Sequence, residues 1–453
     1  MTDNTITHKI DEKLPINRVF TLGIQHALAL YVGVIAVPLV IGKSLGLTPQ
    51  QLSFLIAAGI FTSGIATLIH NFGITSFIGV RLPVMMGCAF ALVGACIAVG
   101  KASGLNAMYG SIIGMGIVMF LLAPVMGRLV RFFPSVVTGS IVTIIGLSLL
   151  PKALISAGGG DIKNPSFGDP RNLILAIIVI AVIVLANRFL KGYMRSISIL
   201  LGLFVGTIVA GFMGMLDFSQ IASAKWVQIV TPFYFGMPKF EVGGILTLSI
   251  IGIVQLAESV GVFSGVGSIC EVKVSKKQLI AGLRGEGLAN ILGGIFNSFP
   301  FITYSQNIGL LSLTRVVSRS VTIAAGIILI VLGCIPKFAA IATLIPTPVF
   351  GGAMIVMFSM VGIAGINMLR EVNLSEPGNM LTTALAIGLG VGTTLVPQLF
   401  QHSPKIIVDV FGHSGIVTGA VVAIVCNIIF NGVKPETNKN AGNVDGVQLD
   451  SQK

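Results

Sequence analysis

A chain of 453 residues that is 54% hydrophobic and only 10% charged, with a mean hydropathy of +0.97, is not a soluble domain, where about 25% of residues are charged. The net charge of +12 and isoelectric point near 9.7 could suggest nucleic acid, but the Lys and Arg are scattered through short loops and tails. Apolar stretches of roughly 18 to 25 residues recur along almost the whole length, as a bilayer core about 30 Å thick requires, so the chain reads as an all-α polytopic membrane protein.

Residues 1–16, "MTDNTITHKIDEKLPI", are polar and lack the apolar core and cleavage site of a signal peptide, so the first span is expected to be retained. That span carries Gln25 and His26 in "GIQHALALYVG". The segment "RLPVMMGCAFALVG" (81–94) is short and contains a Pro and two Gly. "GSIIG" (110–114) is a small-xxx-small face that lets helices approach closely. A long polar stretch, 151–171, separates two later spans. Glu258 lies within "GIVQLAESVGVFSG" and Glu286 within "LIAGLRGEGLANILGG", and Arg284 is a candidate structural partner for the second acid. "SGVGS" (264–268) is not a nucleotide loop, because the strand, the Lys and the remaining glycines are missing. A second short segment with a Pro and a Gly follows, "SFPFITYSQNIGLL" (298–311). From Lys434 onward the chain is polar and reads as disordered. Cys88, Cys96, Cys270, Cys334 and Cys426 fall in or beside apolar spans without metal-ligand spacing and read as small core residues.

Hydropathy predicts about twelve regular helices and two short spans, near 82–98 and 299–312. Arg128 and Arg131, then Arg188, Lys191 and Arg195, then Lys273, Lys276 and Lys277, then Arg315, Arg319 and Arg370 fall in alternate loops. The positive-inside rule assigns those loops and both termini to the cytoplasm, which requires an even number of spans and favours fourteen. Three weak echoes occur in the same order in both halves: "YVGV" (31–34) with "SVGV" (259–262), "PSVVTG" (134–139) with "PTPVFG" (346–351), and Pro83 with Pro300. An odd-numbered repeat must be inverted in the membrane, so two inverted seven-span halves are expected.

Short, interrupted segments in corresponding positions mark a midplane binding site. Their β-branched and aromatic residues predict an extended stretch feeding a short helix, tolerable only inside protein or along a cavity. The repeat alignment sets Ala89 and Phe90 opposite Gln306 and Asn307, with Ser305 alongside. An intramembrane acid costs roughly 2.5–3.5 kcal/mol on insertion scales, so Glu258 and Glu286 are candidates to bind a ligand or carry a proton, and His26 is a lesser one. Carboxylates, a Gln amide, free backbone N–H groups and the Phe90 ring together suit a flat heterocycle, although a small polar amide would also fit.

The segment "QNIGLLSLTR", Gln306 to Arg315, matches at every fixed position the signature Gln/Glu/Pro-Asn-x-Gly-x-x-x-x-Thr-Arg/Lys/Gly of the nucleobase–ascorbate transporter family. "QH" (25–26), "AES" (257–259), Glu286 ahead of "GGIFNSFP" and "GGAMIVMFSMVGIAGI" (351–366) resemble family features too, so the likeness spans about residues 17–432. The resemblance implies two inverted seven-span repeats, a core domain (17–126 and 244–338), a gate domain (134–216 and 346–432), a homodimer, and proton-coupled uptake of a nucleobase across the cytoplasmic membrane without a cofactor. By the same resemblance Glu258 and Gln306 contact substrate, and Glu286 is an acid needed for transport. Asn307, Gly309, Thr314 and Arg315 support the motif, and His26 shapes the site. Gln at 306 resembles the xanthine and uric acid branch rather than the uracil branch, and Ala89 stands where relatives often carry a polar residue, which keeps uric acid beside xanthine. A uracil or other nucleobase symporter of the same fold is the alternative within the family, and an anion exchanger or channel and an intramembrane hydrolase are the alternatives from other classes.

Overall fold

The computed structural model describes residues 9–129, 132–216, 226–404, 407–408, 411 and 414–432. The tail from 433, residues 1–8, Arg131 and His413 lie outside the described residues. Helices of eight residues or more are numbered here. The first half contains α1 (Ile16–Ser44), α2 (Pro49–Phe72), β1 (Met86–Cys88), α3 (Val93–Ser103), α4 (Leu105–Leu122), α5 (Ser135–Ala157), α6 (Pro170–Phe189) and α7 (Ser198–Phe212). The second half contains α8 (Val242–Ile269), α9 (Lys276–Ile295), β2 (Phe301–Thr303), α10 (Gln306–Thr314), α11 (Arg319–Gly333), α12 (Pro336–Thr343), α13 (Thr347–Leu369), α14 (Pro377–Leu395) and α15 (Gly415–Asn431). Seven of the described helices are long and apolar enough to cross a membrane by length and composition.

The order of elements repeats, and so does the packing. Helix α2 packs on α11 as α9 packs on α4, and α1 packs on α11 as α8 packs on α4. In the remaining helices α6 packs on α7 as α14 packs on α15, while α5 and α13, the two counterparts, pack on one another. Every one of these pairs maps onto its partner when the halves are exchanged. The strands β1 and β2 pair antiparallel, so equivalent segments run in opposite directions, as an inverted repeat requires.

Small residues permit the closest of these contacts. A methyl group on Gly64 of α2 would lie 2.5 Å from the Gly326 carbonyl oxygen of α11, and one on Gly116 of α4 would lie 2.8 Å from that of Gly287 of α9. Both contacts join helices that are counterparts across the two halves. The face 110–114 also packs internally, since Gly114 lies against Ile245 of α8. At the end of the bundle that holds residue 9, Lys9 pairs with Glu271 at 2.7 Å and Arg319 pairs with Asp11. Lys9 and Glu271 are both exposed. Their hydrogen bond and opposite charge raise the Lys9 pKa and lower that of Glu271.

Candidate functional site

The two strands cross in the interior with Met86 opposite Thr303, Gly87 opposite Ile302 and Cys88 opposite Phe301. The ladder is closed at its ends by Ala89 N–H donating to the Pro300 carbonyl at 2.8 Å and Tyr304 N–H donating to the Met85 carbonyl at 2.9 Å. So short a sheet leaves backbone groups unpaired, and at membrane depth each must find a partner. Side chains of α2 supply them for the first strand. Ser63 donates to the Met86 carbonyl at 2.5 Å, Thr67 accepts from Met86 N–H at 3.0 Å, and Asn71 donates to the Val84 carbonyl at 2.7 Å. For the second strand Asn290 of α9 accepts from Phe301 N–H at 2.9 Å and donates to its carbonyl at 3.1 Å, while Gln255 of α8 donates to that carbonyl at 2.6 Å. The sequence reading singled out none of these five side chains. Their signal is the four-residue spacing of Ser63, Thr67 and Asn71, and of Glu286 and Asn290, which stacks them on one helix face.

Each strand feeds a helix, as the extended-then-helical pattern predicts. A 3₁₀ turn opens at Phe90 and continues into α3, and α10 opens at Gln306. Ala89 and Phe90 in the first half, like Ser305 and Gln306 in the second, thus stand at the junction of strand and helix. Ala89 is buried against the crossing, and Phe90 is half-buried with its ring edge-on to Phe358 of α13, the centroids 5.9 Å apart. Ser305 holds the N-cap position of α10 and is exposed, as is Gly309 one turn later. The side chain of Gln306 lies outside the described residues.

Asn307 is buried and joins three elements. Its amide nitrogen donates to the Pro83 carbonyl at 2.9 Å, and its oxygen lies 2.6 Å from His26 Nδ1 on α1. With the nitrogen committed to a carbonyl, the oxygen must accept, so the network assigns the hydrogen to His26 Nδ1. His26 thus steadies the motif and has no hydrogen bond to Glu286 among the described residues. Thr314 and Arg315 sit at the far end of α10, where Thr314 bonds back to the Leu310 carbonyl at 2.9 Å and Arg315 adopts the left-handed conformation that ends the helix. They fix where α10 ends.

Glu286 is fully buried. Its Oε1 accepts from Gln255 Nε2 at 2.9 Å and its Oε2 from the Thr303 hydroxyl at 3.5 Å. Arg284, the candidate partner two residues earlier, turns away and lays its guanidinium 3.5 Å from the Phe77 ring centroid. Among the described residues, then, Glu286 is hydrogen-bonded and not ion-paired. Glu258 is half-buried and has no hydrogen-bond or ion-pair partner among the described residues. Glu258, Gly261 and Gly265 share one face of α8 by their spacing. Gly265 lies against Ile308 of α10 and Gly261 against open space, so this face looks towards α10. Two open cavities lie elsewhere, one of about 530 Å³ between α6 and α13 and one of about 410 Å³ at the ends of α4 and α9.

The model of a family described as a permease family matches residues 17–399. The xanthine permease of Bacillus subtilis is 45% identical over 414 residues, covering 91% of this chain and 94% of that protein. The chain belongs to the nucleobase–ascorbate transporter family. Uric acid permease PucJ of the same organism is likewise 45% identical, over 91% of this chain and 93% of its own. Among solved structures, the transmembrane domain of the cyanobacterial bicarbonate transporter BicA superposes with a TM-score of 0.60 at 16% identity, covering 92% of this chain and all of that one. That likeness establishes the shared inverted-repeat fold alone. The protein is a multi-pass membrane transporter and not an enzyme.

Proposed function

We propose that this transporter imports an oxidised purine, xanthine or uric acid, across the cytoplasmic membrane in symport with protons. The observation that carries the reading is Glu258, a half-buried intramembrane carboxylate without a partner among the described residues, facing the helix that opens with Gln306 and Asn307. A carboxylate left free at such depth is costly unless a ligand uses it. Glu258 accepts from the N–H edge of the base, the Gln306 amide both donates and accepts on the opposite edge, and Phe90 covers the ring face beside Ala89 and Ser305. The relatives named xanthine permease and uric acid permease support the substrate class and, being equally similar, do not rank the two bases.

In this reading fourteen spans form two inverted repeats. The core domain comprises 17–126 and 244–338, and the gate domain 134–216 and 346–432, with both termini cytoplasmic and two copies in a homodimer. The core moves against the gate, and protonation of Glu286 favours one of the two positions, since coupling requires a differential affinity between states. Asn307, Gly309, Thr314 and Arg315 hold the motif, and His26 acts through Asn307. Uptake of radiolabelled xanthine into cells lacking purine carriers tests it. Import that collapses with a protonophore and is competed by xanthine or urate, but not uracil, is the expected result. Uptake of labelled sulfate without competition by any base would instead favour an anion exchanger.

A further inference from the structure

The 410 Å³ cavity opens where the end of α2, the end of α4 and the start of α9 meet. Lys276, Lys277 and Arg284 line it and no acidic side chain does, while Ser76, Phe77 and Ile280 form part of its wall. None of the three cations has a carboxylate partner among the described residues. The two lysines occupy the first turn of α9, which holds no acidic residue. Positive charge there opposes the positive end of the helix dipole, so the fold places two exposed cations where an anion is favoured. Arg284 stands eight residues further on, roughly 12 Å along the helix. Its guanidinium stacks on Phe77, and its Nε is buried with no acceptor among the described residues. Charge bias between loops accounts for lysines at a helix end. It does not account for an arginine two turns deeper, held on an aromatic ring at the wall of a cavity.

The surroundings indicate the form of the anion. Phe72, Ile74 and Phe77 are 55%, 58% and 48% exposed on the segment that leads from α2 into the cavity, an apolar lip suited to acyl chains. We infer that this cavity binds the phosphate headgroup of an anionic glycerophospholipid, with Lys276, Lys277 and Arg284 around the phosphate and the acyl chains over the Phe72–Phe77 segment. Basic pockets between helices at a membrane surface recognise anionic headgroups by the same chemistry. The site lies apart from Glu258 and Glu286 and is independent of the transported substrate.

The chain has one tryptophan, Trp226, so a Phe77→Trp reporter in a Trp226→Phe background reads lipid at the cavity by fluorescence quenching. The protein is reconstituted in phosphatidylcholine vesicles containing either dibrominated phosphatidylglycerol or dibrominated phosphatidylcholine. The expected result is preferential quenching by phosphatidylglycerol that millimolar inorganic phosphate does not displace. Lys276→Gln with Lys277→Gln should weaken this preference by on the order of 20- to 30-fold. Native mass spectrometry of the otherwise unaltered protein, against the same double variant, gives a second reading should the reporter fail to fold. Retained phosphatidylglycerol should be lost from the variant. Equal quenching by the two lipids, or a preference that survives the double substitution, overturns the inference. Displacement by inorganic phosphate would assign the site to a free anion and overturn the lipid assignment.

Discussion

Replacing Glu286 by Gln separates the proton from the scaffold. The carboxylate accepts from Gln255 at 2.9 Å and from Thr303 at 3.5 Å, with the Ser259 hydroxyl close beside it. In Glu286→Gln the amide oxygen can keep the first. The amide nitrogen then donates to the Thr303 hydroxyl, whose own hydrogen already has an acceptor in the Met86 sulfur at 3.6 Å. No buried group is orphaned. A charged hydrogen bond is worth about 1.5–3 kcal/mol and a neutral one about 0.5–1.5, so the exchange loses on the order of 1 kcal/mol. Removing a buried charge offsets that loss. Apparent melting temperature should therefore stay within the shift of about 1 kcal/mol, and purine affinity within about fivefold. Accumulation should behave differently, because the amide cannot release a proton. In proteoliposomes, the variant should retain exchange of labelled for unlabelled base but lose pH-gradient-driven accumulation. Protonophore-sensitive accumulation by Glu286→Gln, or equal loss of exchange and accumulation in a well-folded variant, would refute the role given to this residue.

Other outcomes follow from the same geometry. Asn290→Ala removes both bonds to Phe301 and leaves its N–H without that acceptor; with membrane hydrogen bonds averaging about 0.6 kcal/mol and an orphaned buried group costing about 1–3, detergent melts should show a loss of about 2–4 kcal/mol. Glu258→Gln should leave those melts unchanged, since no described partner is lost, while calorimetric purine affinity falls about 10- to 100-fold through loss of charged hydrogen bonds. Gly116→Val should sharply reduce the yield of folded protein in size-exclusion chromatography, because even a methyl would meet the α9 backbone at 2.7 Å. The Lys9–Glu271 pair has a lowered Glu and a raised Lys pKa. Any contribution to stability is therefore constant at mid-range pH, is lost as pH falls through the depressed Glu271 value, and is lost again as pH rises through the elevated Lys9 value. Lys9→Gln should leave the melt at neutral pH unchanged, as exposed pairs do.

The broken segments were legible because Pro, Gly and β-branched residues interrupt a hydropathy pattern that has no other reason to break. Asn307 and Glu286 were legible because polar groups inside apolar spans demand partners. The partners themselves were not. Gln255 and Asn290 meet Phe301 only once three separate elements have packed, and no local pattern records that meeting. Arg284 illustrates the converse. Sequence proximity offers it to Glu286, but residues two apart on a helix point to different sides, and it finds Phe77 instead.

The side chains that support the two strands also reveal where the repeat departs from symmetry. Asn71 of α2 and Asn290 of α9 are counterparts, each donating to a carbonyl of its own half's extended segment. Four residues earlier on each helix, the first half has Thr67, which accepts from a strand N–H, and the second has Glu286, which accepts from Thr303. A neutral hydroxyl cannot change its charge between pH 5 and pH 8, whereas a buried carboxylate can be tuned into that range. Among the described residues, only β2 is therefore held by a side chain that gains a donor on protonation while keeping one acceptor oxygen. Gln255 bridges Glu286 and the Phe301 carbonyl through a single nitrogen, so a proton on Oε2 can leave that bridge in place and reverse the bond to the Thr303 hydroxyl, while the β1 side has no equivalent lever. A perfectly symmetric crossing would respond equally in both halves. Here, among the described residues, the one ionisable anchor lies on the strand that leads into Gln306 and Asn307.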